Sequence, residues 1–271
     1  MRIIRFVDSV GQVHHGVDQG NGTALRIQGD IFANHTVTHQ AVAVKKLLAP
    51  LAPTAILCIG SNYLKHVEET HSAVPEFPVL FMKSPGAVQN PGDPIEIPTM
   101  MKSTQVDWEC ELAVVIGRAA KNVSKEKALD YVLGYTCGND VSARDWQRQW
   151  GGSQWCRGKT FDTFCPLGPA LVTSDELTNP NALRIQTKLN GRVVQDSNTS
   201  DMIFDVRTIV SFLSGSTTLL PGTVILTGTP SGVGMGLNPP TYLKAGDTVT
   251  ISIERIGELT NPVVAEGEKN T

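Results

Sequence analysis

Trp108-Glu109-Cys110-Glu111-Leu112-Ala113-Val114-Val115-Ile116-Gly117 is the stretch from which the rest of this chain can be read. Its apolar, β-branched run predicts a strand closed by a glycine. Successive side chains of a strand point to opposite faces, so Glu109 and Glu111 share one face. Two adjacent carboxylates repel, and burying them unpaired costs several kcal/mol. A Glu-x-Glu pair on a strand is commonly a solvated face. Here the flanking sequence is apolar on both sides, which points instead to a bound cation. The third acid is expected at Asp140, which ends the second apolar run, Tyr131-Val132-Leu133-Gly134-Tyr135-Thr136-Cys137-Gly138-Asn139-Asp140. Helix N-capping is the competing role for that aspartate. Three carboxylates with waters suit a hard ion, Mg²⁺ or alternatively Mn²⁺, better than zinc.

The chain of 271 residues carries a formal net charge of −3 and 41% hydrophobic residues, enough for a substantial core. Near-balanced charge without a basic stripe argues against nucleic acid as a partner. No apolar run reaches the ~18 residues of a membrane span, so no membrane partner is expected. The opening Met1-Arg2-Ile3-Ile4-Arg5-Phe6-Val7-Asp8 alternates like a strand and lacks a secretory h-region. Five scattered cysteines without a Cys-x-x-Cys read as reduced thiols. The expected compartment is the cytoplasm, or the mitochondrial matrix if a transit peptide is cut from a longer precursor.

The proline pair Pro50 and Pro53 is the candidate boundary between a small β-rich segment, residues 1–53, and a larger catalytic domain, residues 54–271. Strand-like pieces at Ile3 to Val7 and Ala24 to Ile27 are broken by glycine turns, and a short helix is expected over Ala41 to Leu48. Further strands are expected at 55–60, 79–83, 183–189, 223–227 and 248–253, with helical spacing at 63–70 and 126–131. Helices are few and short. The pattern predicts a mixed, β-rich α/β fold with a rolled or barrel-like sheet.

Four further clusters could carry chemistry. In Asn62-Tyr63-Leu64-Lys65-His66-Val67-Glu68-Glu69, His66 and Glu69 share a helical face, where a carboxylate would fix the imidazole tautomer and raise its basicity. Taken alone, such a pair is commonly a solvated one. In Asn139-Asp140-Val141-Ser142-Ala143-Arg144-Asp145-Trp146-Gln147, Gln147 could reach a substrate carbonyl or carboxylate, while Arg144 and Asp145 are expected to form a structural ion pair. Lys159, within Gly158-Lys159-Thr160-Phe161-Asp162-Thr163, could neutralise an enolate or a carboxylate. It is no P-loop lysine, because Ser153 stands where that motif needs glycine. Gly232, Gly234 and Gly236 superficially suggest a dinucleotide loop, but Pro239-Pro240 follows in place of a crossover helix. A turn whose Thr229 faces a ligand is the better reading.

Together these clusters resemble the fumarylacetoacetate hydrolase family over about Thr54 to Val264. The markers stand in family order: Gly60-Ser61-Asn62-Tyr63 with His66, then Glu109-Cys110-Glu111, Asn139 to Asp145, Gly158 to Thr163, and Thr227-Gly228-Thr229-Pro230. Asp145-Trp146-Gln147 and the run Thr163 to Val172 bring the chain nearest the domain-containing protein 2 branch of that family. The resemblance implies a fumarylacetoacetase C-terminal-like β-sandwich roll around a deep metal pocket, and a homodimer. It implies Glu109, Glu111 and Asp140 as metal ligands, and His66 with Glu69 as a catalytic dyad on a lid helix. It further implies Lys159 as a catalytic lysine, with Gln147 and Thr229 as substrate contacts.

A 2-oxo acid can chelate such a cation through its carboxylate and 2-oxo oxygens, and the cation would stabilise the enolate. Three outcomes share that enolate: keto–enol tautomerisation, decarboxylation, and C–C hydrolysis of an acylpyruvate. The resemblance favours oxaloacetate tautomerase or decarboxylase chemistry over fumarylacetoacetate-type hydrolysis. A metal- and carboxylate-binding protein without turnover is the rival from another class.

Overall fold

The fold, seen in a computed structural model that describes residues 1–268, is built outward from the strand Cys110–Ile116. All seven of its residues are buried, as a strand covered on both faces requires. Cys110, Leu112, Val114 and Ile116 point into one core cluster, with Ile185, Ile251 and Leu259. Ala113 and Val115 point into a second, with Ile56, Cys58 and Leu226.

Cys110–Ile116 pairs antiparallel with Val132–Asn139 on one side and with Thr223–Leu226 on the other. Beyond Thr223–Leu226 lie Ala55–Gly60, parallel to it, and Val79–Lys83 at the sheet edge. Beyond Val132–Asn139 lies Cys165–Thr173, and Arg2–Val7 pairs with that strand through Ile3 and Leu171. The strands of residues 1–53 therefore extend the same 12-stranded sheet. A five-stranded sheet, ordered Arg192–Asn198, Arg184–Leu189, Thr248–Ile253, Gly257–Ala265 and Ile95–Ile97, covers its inner face. The mixed, sheet-rich architecture expected from the sequence is the one observed.

Two local expectations need correction. Ala41 to Leu48 is not helical: the strand His35–Ala43 runs through it, and Lys46–Leu48 is a strand paired with Arg2–Val7. Thr23–Gly29 supplies the backbone partners of His35–Ala43, which outweigh the weak helical spacing of the alanines. Arg144 and Asp145 do not pair either, as described below. The longest helix among the described residues, Val206–Ser214, escaped the sequence reading. Its signal is present: Asp205 caps it by accepting from the Thr208 backbone N–H at 2.8 Å, and Val206, Ile209, Val210 and Leu213 form its buried face. Among the described residues no helix is long and apolar enough to cross a membrane.

Candidate active site

The ladder register sets the first pair of acids against the third. Cys110 faces Asn139, and the Asp140 backbone N–H donates to the Glu109 carbonyl at 2.9 Å. Glu109, Glu111 and Asp140, all buried, thereby offer carboxylate oxygens that lie within 4.8 Å of one another. Glu109 and Glu111 line a pocket together with His66, Gln147, Lys159 and Thr229. Asp140 lies behind its wall, fully buried, and Glu69 stands behind His66.

Lys159 closes the short helix Cys156–Lys159 beneath the acids. The preceding Gly158 permits this, because a β-carbon there would sit 2.6 Å from the Gln147 nitrogen and 2.7 Å from the Ala143 oxygen. The Lys159 ammonium donates to Asp140 Oδ2 at 2.7 Å and to Glu109 Oε2 at 2.9 Å. Two cations not foreseen from the sequence complete the cluster. Lys83, with a fully buried side chain, donates to Asp140 Oδ1 at 2.5 Å and to the Val141 carbonyl at 3.1 Å. Arg144 reaches Glu109 Oε1 at 2.6 Å and Asp107 Oδ2 at 2.8 Å. Asp145 instead accepts from Ser103 Oγ and the Thr104 backbone N–H. Chain proximity made Asp145 the obvious partner for Arg144, but adjacent residues of this segment point apart. For Lys83 a signal existed: it closes the strand Val79–Lys83 in the same alternating register as the buried Phe81.

Four buried carboxylates (Asp107, Glu109, Glu111, Asp140) thus face three buried cations (Lys83, Arg144, Lys159). Burial opposes the charge of Glu109, but Lys159 and then Arg144 hold its carboxyl well below the usual range. Glu111 has no such partner. Burial, then repulsion from Asp140 and Glu109, pushes its carboxyl well above the usual range, against one hydrogen bond from the Gly228 backbone N–H. The unbalanced negative charge falls where the three carboxylates converge. The donor set is all oxygen, so the residues fit a hard divalent cation and would hold it there.

The dyad rests on a loop. Asn62 anchors the start of the helix Leu64–Glu69 by donating to the Thr227 and Phe204 carbonyls at 2.7 and 3.0 Å. On that helix His66 Nδ1 lies 3.2 Å from Glu69 Oε2, which leaves Nε2 available to the pocket. Glu69 Oε1 accepts from the Gly232 backbone N–H at 2.9 Å. The glycines that suggested a nucleotide loop thus hold a glutamate. Gln147 Oε1 accepts from Arg144 Nη1 at 3.0 Å, and Thr229 Oγ1 accepts from Gln195 Nε2 at 2.9 Å.

A family model described as fumarylacetoacetate (FAA) hydrolase C-terminal matches residues 55–264, and one described as Rv2993c-like, N-terminal, matches residues 1–50. The human protein named oxaloacetate tautomerase FAHD2A, mitochondrial, is 47% identical over 292 aligned residues, covering 97% of this chain and 92% of its own. Its Xenopus laevis counterpart is 51% identical over 80% of this chain and 68% of its own. Among solved structures, a 2-hydroxyhepta-2,4-diene-1,7-dioate isomerase from Mycobacterium marinum superposes with a TM-score of 0.83 at 41% identity. It covers 99% of this chain and 100% of its own. A fumarylacetoacetate hydrolase from Exiguobacterium antarcticum gives 0.84 at 37% identity, covering 98% and 100%.

Proposed function

This chain belongs to the fumarylacetoacetate hydrolase family and is an enzyme, and from that premise we propose that it catalyses the Mg²⁺-dependent keto–enol tautomerisation of oxaloacetate. The observation that carries the reading is the convergence of Glu109, Glu111 and Asp140 at the wall of the pocket that His66 and Lys159 also line. Relatives named oxaloacetate tautomerases support the choice of substrate. Glu109, Glu111 and Asp140 would hold the cation, which supplies Lewis acidity toward a 2-oxo acid when bound.

The chain's own groups account for the proton movement. His66 Nε2 removes a proton from C3 of the keto acid, the C3–H electron pair becomes the C2–C3 double bond, the C2–O π pair moves onto the 2-oxo oxygen, and that oxygen takes up the proton that His66 removed. Glu69, through Nδ1, holds the imidazole tautomer that exposes Nε2 as a base. Lys159 places positive charge beside the acids where negative charge develops on the substrate oxygen. Gln147 and Thr229 line the walls and orient the acid. Acylpyruvate hydrolysis is the second reading, supported by likeness to the hydrolase structure above; there His66 would activate water. The mitochondrial names of relatives and the unpaired cysteines suit a reducing compartment, the mitochondrial matrix included. A homodimer remains part of the proposal.

Purified protein assayed with oxaloacetate and with acetylpyruvate, each with and without EDTA, tests both readings. The expected result is EDTA-sensitive oxaloacetate tautomerisation faster than Mg²⁺ alone supports. His66→Ala should lower turnover by about 10²–10⁴ and leave Mg²⁺ affinity intact. Turnover of neither substrate above the metal-only control overturns the assignment.

A further inference from the structure

Arg148 lines the pocket beside Glu109, Gln147 and Lys159, and its side chain is exposed. The other pocket cations are committed. Lys159 is held by Glu109 and Asp140, and Arg144 by Asp107 and Glu109. Arg148 makes no ion pair among the described residues. Desolvation, then repulsion from the neighbouring Arg144, disfavours its charge. Two more donors belong to residues lining the same pocket. Arg144 Nη2 is buried without a hydrogen-bond partner. Gln147 spends its oxygen on Arg144 Nη1, so its amide nitrogen remains to donate. Donors without acceptors are what an anion requires, and a guanidinium fork matches a carboxylate.

We propose that Arg148, beside the orphan Nη2 of Arg144, receives the distal carboxylate of a 2-oxo dicarboxylic acid, and so makes the pocket select dianions over monoanions of the same size. The inference rests on the reading of the pocket as a 2-oxo acid site. The three buried carboxylates mark where the 2-oxo carboxylate binds with the cation, and Arg148, the exposed cation of the same pocket, offers the second carboxylate a place nearer solvent. An arginine there, remote from C3 and the 2-oxo oxygen, acts on ground-state binding, so its loss raises KM for oxaloacetate more than it lowers kcat.

The test titrates Mg²⁺-loaded full-length protein by calorimetry with 3,3-dimethyloxaloacetate, which has no C3 hydrogen to enolise. The comparison ligand is 3,3-dimethyl-2-oxobutanoate, in which a methyl replaces the distal carboxylate. Wild type should bind the dianion at least about tenfold tighter, the scale of one charge-assisted contact. Arg148→Gln should reduce the preference to within about twofold, and Arg148→Lys should keep only part of it, because an ammonium supplies the charge without the bidentate fork. Oxalate, whose two carboxylates both fit at the cation, should bind all three proteins with affinities within about twofold. An undiminished preference in Arg148→Gln, no preference in wild type, no binding of either 2-oxo acid, or loss of oxalate binding in the variant overturns the proposal. Should the Arg148-dependent preference appear while oxaloacetate is not turned over, the tautomerase assignment falls and the charge selector stands.

Discussion

The Glu69 carboxylate lies against the backbone of Gly236: a β-carbon built on that glycine would fall 2.4 Å from Glu69 Cδ and 2.6 Å from Oε1. The same carboxylate holds His66 Nδ1 at 3.2 Å. Backbone atoms of a glycine loop therefore set the orientation of the proposed base. Gly236→Ala displaces the mobile end of a side chain, so its cost in stability should be small. Its cost in catalysis should be larger, because the imidazole loses its fixed tautomer and aim. We expect turnover to fall by about 10- to 100-fold with Mg²⁺ affinity unchanged, measured by steady-state kinetics beside calorimetry. Full activity in this variant would remove Glu69 from the mechanism.

Lys83 should matter for stability first. Its ammonium, with no exposed side-chain surface, meets Asp140 Oδ1 at 2.5 Å. Lys83→Met retains the packing of the aliphatic stem and deletes the charge. Removing one partner of a buried pair costs roughly 3–5 kcal/mol, visible as a lowered urea midpoint. Mg²⁺ should recover part of that loss, because it binds the folded state and offsets the excess negative charge. An unshifted midpoint would mean that Lys159 alone suffices for Asp140.

Mg²⁺ binding should depend on pH through Glu111. Burial, then repulsion from Asp140 and Glu109, raises its carboxyl well above the usual range. Without metal, the folded protein keeps a proton that the unfolded chain has lost, from the ordinary carboxylate value up to the raised one. The stability of the metal-free fold therefore falls as pH rises through that window. Metal ligation needs the ionised carboxylate, so binding releases the proton and affinity rises with pH across the same window. Calorimetry in buffers of different ionisation enthalpy counts the released protons. Affinity independent of pH from about 5 to 8 would show that Glu111 is already ionised before metal arrives.

Thiol labelling should separate one cysteine from the rest. Cys58, Cys110, Cys137 and Cys165 are buried and Cys156 is half-buried. Burial pushes the Cys137 and Cys165 thiols up to about 12, which keeps them unreactive at neutral pH. The native protein should react with about one equivalent of a thiol reagent quickly, and the remaining four should follow only on unfolding. Fast labelling of more than one thiol would indicate that the sandwich opens locally.

Local pattern carried much of this protein. The alternation in Trp108 to Gly117 is enough to put Glu109 and Glu111 on one side of a buried strand, because successive side chains of an extended backbone point to opposite faces. The spacing of His66 and Glu69 works likewise on a helix. Where the sequence misled, distance along the chain was the reason. Lys83 meets Asp140 from 57 residues away, and Arg144 skips its neighbour Asp145 for Asp107, 37 residues back. The strand over Ala41 to Ala43 exists because Thr23–Gly29 offers it hydrogen-bond partners. Which faces are apolar or acidic follows from bond geometry and is legible residue by residue. Which cation arrives at an acidic face, and whether a glycine loop or a solvated surface receives Glu69, depends on the register between strands far apart in the chain. That register is settled by the packing of the two sheets as a whole.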